Sequence, residues 1–254
     1  MKNKKRQDKD NKGTAPIAET KVDTSPIIHQ KSKLKIPLNI RKRPDLTDKQ
    51  KELLNIILNS DTKAVFISGG AGTAKTYTAI QAALQLLSDK RVSDLIYLRS
   101  VVESSDSHMG FLPGTSDEKM SPYLVPLMDK LIEFLPSSEI DLLKKEKRIS
   151  GLPINFLRGL SFNATVIILD EAQNMTSREI FTVLTRVGEF SKILILGDPD
   201  QSDLKNKSGF LTIMQLLNDS ESRDNGIFSW TFTDDDVVRS KLVKFLLKKL
   251  KNKY

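Results

Sequence analysis

Cysteine is missing from all 254 residues, and histidine occurs only twice, at His29 and His108. Without thiols there is no disulfide framework and no thiolate zinc site, and the chain suits a reducing compartment. Two histidines leave little from which to build an imidazole metal centre. Aromatic residues make up 6% of the chain, with one tryptophan. Long apolar runs are missing as well. "VIIL" at 166–169 has the length of a core strand and falls far short of the roughly 20 residues that span a bilayer. The lysine- and aspartate-rich start has no apolar stretch of the kind that a secretory leader needs. These absences leave a cytoplasmic globular protein with no membrane span as the expectation.

Positive charge is present but badly distributed. The formal net charge is +8, yet residues 1–43 hold 13 Lys/Arg against 4 Asp/Glu, and 241–254 add six lysines and no acid. The body between them, 44–240, is therefore about seven charges negative. Basic ends often anchor to phosphate backbones without regard to sequence. A solvated arm that serves only solubility competes with that reading for 1–43. Few aromatics and scattered Pro and Lys make 1–43 a disordered arm by composition. An ordered domain over 44–254 follows, ending in a basic helix.

Hydrophobic periodicity orders this domain. Leu53, Leu54, Ile56 and Ile57 mark a helix with Thr47 as its N-cap. "AVFIS" (64–68), "DLIYLR" (94–99), "ATVIILD" (164–170) and "SKILILGD" (191–198) read as buried strands, with shorter ones at "INFL" (154–157) and "GIFSWTFT" (226–233). Helical patterns separate them, including 177–187 and 208–217, and a polar loop is expected over 100–122. Strands alternating with helices predict an α/β fold with a parallel sheet flanked by helices on both faces.

"GGAGTAKT" (69–76) follows one predicted strand and opens a predicted helix. That is the context of the phosphate-binding pattern G-x-x-x-x-G-K-[ST]. Backbone N–H groups of Gly69, Gly70, Ala71, Gly72, Thr73 and Ala74 can wrap phosphates at the helix N-terminus. Lys75 would reach the β- and γ-phosphates, Thr76 would place its hydroxyl on Mg²⁺, and Tyr77 follows directly. Ala74 stands where the pattern has its second glycine. It costs nothing if that residue is right-handed, and roughly 1–2 kcal/mol if φ is positive.

Hydrolysis needs more than a cradle. At the tip of "VIILDEAQ", Asp170 can hold Mg²⁺ and Glu171 can polarise water as a general base. Both could instead cap the next helix, although Thr176 is the better cap. In "ILILGDPDQSDL", Gln201 sits one strand over and can sense a γ-phosphate. Gln50 has two competing roles: partner of Thr47 in a capping box, or reader of adenine through its amide. Of the two, adenine is preferred. Arg99, Arg158 and Arg239 are the candidates for stabilising transition-state charge, with an ion pair in "TDDDVVR" competing at Arg239.

Together, "GGAGTAKTYTA", "GFLPGTSDEKMSPYLVPLMDKL", "FLRGLSFNATVIILDEAQNMTSREIFTVLTRVGEFSKILILGDPDQSDL" and "FTDDDVVRSKLV" resemble the PhoH-like family of phosphate-starvation-inducible ATPases. Their order covers most of 47–245. The family looks like the nucleotide-binding core of superfamily 1 helicases. The resemblance implies a P-loop NTPase fold of the RecA/helicase type and ATP hydrolysis with Mg²⁺. It also implies coupling to RNA or single-stranded nucleic acid, and a homo-oligomer for which a hexameric ring is one form. It carries catalytic roles onto Glu171, Gln201, Arg158 and Arg239. Departures are Ala74 for glycine, Ser100 for proline, Leu160 for arginine and Ser240 for histidine. A ring acting on protein partners and a nucleotide-binding module of low turnover are the alternatives.

Overall fold

The computed structural model describes residues 37–41, 46–99, 116–157, 159–204 and 207–238, together with isolated positions near the C-terminus. Arg158, Arg239, most of the expected N-terminal arm and most of the basic C-terminal segment lie outside the described residues.

Six strands form one sheet: β1 (Ala64–Ser68), β2 (Asp94–Arg99), β3 (Ile149–Pro153), β4 (Thr165–Asp170), β5 (Lys192–Gly197) and β6 (Ile227–Thr231). Their order is β3-β2-β4-β5-β1-β6, and every pairing is parallel. β1, β4 and β5 are buried along their whole length. This explains why their sequences are continuous apolar runs rather than alternating ones.

The alternation reappears in what each side chain meets. Val65, Ile67, Val166, Ile168, Leu194 and Leu196 face one core, shared with helices α1 (Asp48–Leu58), α2 (Lys75–Ser88), α3 (Ser116–Phe134) and α4 (Ser137–Lys145). Phe66, Ile167, Leu169, Ile193 and Ile195 face the other core. Helices α5 (Ser177–Leu184) and α6 (Phe210–Leu216) close that second side. A short α7 (Ser220–Asp224) leads into β6. The expected α/β fold, a parallel sheet flanked by helices, is the one found.

Several local expectations need correction. "INFL" is a 3₁₀ turn, Ile154–Leu157, and the strand lies just before it as "ISGLP". Gly151 and Pro153 hide that strand from propensity, but pairing with β2 (Leu95 to Ile149, Arg99 to Pro153) supplies the hydrogen bonds and an edge position tolerates the proline. The polar loop expected to reach residue 122 ends sooner, because α3 begins at Ser116 and carries Pro122 and Pro126 inside it. Residues 37–41, assigned to the arm by composition, instead pack against the body. Leu38 N donates to Ser88 Oγ at 3.0 Å, and Arg41 N donates to the Phe134 carbonyl at 2.8 Å. α5 and α6 also end short of 187 and 217.

Where β5 ends, Gly197 is pressed against the buried Phe210 ring. A Cβ added there would sit 2.6–2.9 Å from three ring atoms. Phe210 is fully buried and has no room to retreat. Gly197→Ala should therefore cost about 1–3 kcal/mol, read as a lower midpoint in denaturant unfolding.

Candidate active site

The parallel strands deliver their C-terminal ends to one rim, where open α/β sheets place their ligands. The loop after β1, the tip of β4 and the turn after β5 converge there around a cleft of about 280 Å³. Ala71, Gly72, Lys75, Asp170, Glu171 and Gln201 all line it.

The glycine loop is pinned from several sides. Gly69 N donates to the Gly197 carbonyl at 3.2 Å, and Thr73 Oγ1 donates to the Gly70 carbonyl at 2.9 Å. Val238 N donates to the Gly72 carbonyl at 2.9 Å, so the chain beyond β6 closes over the loop. A Cβ on Gly69 would meet Phe232 Cβ at 2.7 Å, whereas one on Gly70 would meet nothing within 4 Å. The N–H groups of Ala71, Gly72 and Ala74 find no acceptor among the described residues. Successive free N–H groups at a helix start form an anion-binding nest, so the loop fits a phosphate chain. Lys75 Nζ bonds the carbonyls of Gly69 and Gly70. Burial lowers its pKa, against the raising influence of Asp198, Asp170 and Glu171.

Ala74 is left-handed, with φ 64° and ψ 28°, and is the N-cap of α2. Of the two possibilities open in the sequence, the costly one holds. The loop carries about 1–2 kcal/mol of strain that a glycine would not.

Asp170 is the buried centre of the site. Its Oδ2 accepts from Tyr97 Oη at 2.6 Å and from Thr76 Oγ1 at 3.3 Å, and its Oδ1 accepts from Glu171 N at 3.0 Å. Burial raises its pKa, opposed by the Tyr97 hydrogen bond. Tyr97 is pushed up too, by burial first and then by Asp170, which keeps its hydroxyl a neutral donor. A buried carboxylate beside a hydroxyl, facing a phosphate nest, is the donor set that Mg²⁺ takes when phosphates and water supply its other ligands. Thr76 and Asp170 therefore fit the metal roles expected of them. Among the described residues, no group of three or more His, Asp or Glu is arranged to hold a metal ion by itself.

Glu171 does not cap a regular helix. It is left-handed, φ 56°, and Thr176 caps α5 through a capping box with Glu179. Its Oε2 accepts from Gln173 Nε2 at 2.6 Å, and its Oε1 lies 3.8 Å from Arg99 Nη2. Gln173 is a residue that sequence reasoning missed. It is buried, and its Oε1 accepts from Asp198 N at 3.0 Å, tying the Glu171 carboxylate to the end of β5. Gln201 is exposed on the 3₁₀ turn Pro199–Gln201, held by its N–H to the Asp198 carbonyl at 3.0 Å. Burial raises the Asp198 pKa against the pull of Lys75.

Tyr77 and Lys130 also line the cleft. The Tyr77 ring packs on Phe134, with centroids 4.4 Å apart. Gln50 forms the capping box with Thr47, and its Nε2 reaches the Thr73 carbonyl at 3.4 Å. An adenine reader at Gln50 would have to release one of these partners. In "TDDDVVR", Asp236 pairs with Lys49 at 2.6 Å and caps its own turn.

Two outcomes follow for the ligand-free protein. Ala74→Gly should gain about 1 kcal/mol in denaturant unfolding. A carboxyl whose folded pKa is raised stabilises the fold when protonated and loses that contribution as pH rises through the folded pKa. Asp170→Asn should therefore melt higher than the parent at neutral pH, with the gap closing in acid. A lower midpoint for the Asn variant at neutral pH would show that Asp170 is not a stability cost.

Comparison with known proteins places the chain in a family. Residues 43–251 match the family described as PhoH-like protein. The chain is 36% identical over 200 residues to a PhoH-like protein of Synechocystis sp., covering 78% of this chain and 59% of that one. It is 38% identical over 181 residues to a PhoH-like protein of Bacillus subtilis, covering 70% and 55%. With Protein PhoH of Escherichia coli it shares 34% identity over 182 residues, covering 70% and 50%. The chain thus spans about half the length of the curated relatives it matches. No helix among the described residues is long and apolar enough to cross a membrane. By the match over 43–251 and the identity with these relatives over most of its length, this chain belongs to the PhoH-like family.

Proposed function

We propose that this protein is an Mg²⁺-dependent ATPase whose turnover is coupled to RNA or single-stranded DNA. The observation that carries the reading is the meeting of four groups in one cleft: the free N–H nest, Lys75, the Thr76–Asp170 pair and Glu171.

In this reading Lys75 exchanges the Gly69 and Gly70 carbonyls for β- and γ-phosphate oxygens. Thr76 and Asp170 hold Mg²⁺, which when bound draws charge from the transferring phosphoryl group. Glu171 takes the proton of the attacking water. The amide of Gln173 holds the Glu171 carboxylate. Gln201 reads the γ-phosphate from the exposed tip of the turn after β5. Because Gln173 bonds both Glu171 and Asp198 N, a shift of that turn on phosphate release reaches the base through a single side chain. Arg158 or Arg239 supplies positive charge to the transition state, across the interface of a homo-oligomer such as a hexameric ring.

Glu171→Gln tests the assignment. Phosphate release should fall about a hundredfold or more, while affinity for a fluorescent ATP analogue stays at the parent value. Turnover near the parent rate would remove Glu171 as the base. Coupling is tested by adding single-stranded RNA or DNA at fixed salt: stimulation supports it, and indifference to both would overturn it.

A further inference from the structure

Beyond Arg99, the same rim carries residues that the nucleotide cleft does not use. β3 ends at Pro153 and runs into the turn Ile154–Leu157, against which α5 packs. Two phenyl rings face solvent from this corner: Phe156 is 55% exposed and Phe181 is 63% exposed. Among the described residues neither ring stacks on another. The aliphatic residues of the same two elements, Ile154, Leu157, Ile180 and Val183, are buried in the core beneath. The corner therefore presents rings rather than the branched chains of a protein-docking face.

Guanidinium groups accompany the rings. Arg178 lies three residues before Phe181, on the same face of α5. It is exposed and has no ion-pair partner among the described residues. The neighbouring acid, Glu179, is occupied in the Thr176 cap. Arg99 stands at the tip of β2, in register with Pro153 on one side and Asp170 on the other, and is partly exposed.

We propose that this corner is the track for a single-stranded nucleic acid, with bases stacked on Phe156 and Phe181 and phosphates on Arg178 and Arg99. A ring stacks on any base, and an arginine fork grips a phosphate whatever the sequence. The body is acidic overall, so binding here depends on these local cations rather than on a general field. The track also reaches the proposed ATPase chemistry. A phosphate that takes Arg99 withdraws it from Glu171, 3.8 Å away, and frees the base. That last step rests on the ATPase reading; the track itself does not.

The test is anisotropy of fluorescein-labelled oligo-dT and oligo-rU with the full chain, over a series of salt concentrations and without hydrolysis. Replacing both rings (Phe156→Ala, Phe181→Ala) should weaken binding about tenfold or more and leave the salt slope unchanged. Tyrosine at both positions should keep the affinity. Arg178→Ala should reduce the salt slope by about one. All of these variants should bind a fluorescent ATP analogue like the parent. Parent-like oligonucleotide affinity in the double alanine variant, or no oligonucleotide binding by the parent, would overturn the track. So would a variant that changes only the mass of the assembly in light scattering, which would make the corner a subunit contact. Weakened binding with no nucleic-acid stimulation of turnover in the parent would leave the track standing and remove the coupling.

Discussion

A carboxylate buried at the tip of a central strand constrains everything around it. Asp170 ends β4, and burial works against its charge. The fold answers with three donors from three different segments: Tyr97 from β2, Thr76 from the first turn of α2, and the N–H of Glu171. To keep those donors in place, β2 must pair with β4 and α2 must start where it does. The glycine loop is thereby fixed beside the carboxylate. Even so, the donors compensate only part of the desolvation, which is the property a cation would exploit.

Strain gathers around that same centre. Two of the non-glycine residues with positive φ, Ala74 and Glu171, flank the cleft. Such conformations persist only where surrounding contacts over-determine them. Ala74, the N-cap of α2, is held between the first turn of that helix and a loop tied to Gly197, Phe232 and Val238. Glu171 is held by Asp170 on one side and by Gln173 on the other. Nearby glycines meet the same demand differently: Gly72, at φ 88°, pays nothing for its turn.

Much of this was legible in the amino-acid order, for reasons that are local. Apolar runs at 64–68, 164–170 and 191–198 are legible as strands because they are short, rich in Val and Ile, and apolar throughout, as strands buried on both faces are. Thr47 and Thr176 were legible as caps because a capping box spans only four residues. Errors arose where tertiary pairing overrode propensity: "ISGLP" became a strand at the sheet edge, and Pro122 and Pro126 were absorbed into α3. Tyr97, Gln173 and Lys130 were missed because nothing in their own segments marks them. Tyr97 meets Asp170 across 73 residues, Gln173 meets Asp198 N across 25, and Lys130 reaches the cleft from a separate helix. The exposed pair Phe156 and Phe181 was equally invisible, since a phenylalanine in an apolar stretch is normally core.

The sequence by itself determined the fold class, the glycine loop, and Lys75, Thr76, Asp170 and Glu171 as the residues that gather in one cleft, because each follows from a pattern a few residues long. Only the tertiary structure decided the hand of Ala74, the partners of Gln50, the bridge made by Gln173 and the exposure of Phe156 and Phe181. Those properties depend on strand register and on which elements are packed together. Register is set by the summed burial of two cores, which no short window of sequence contains.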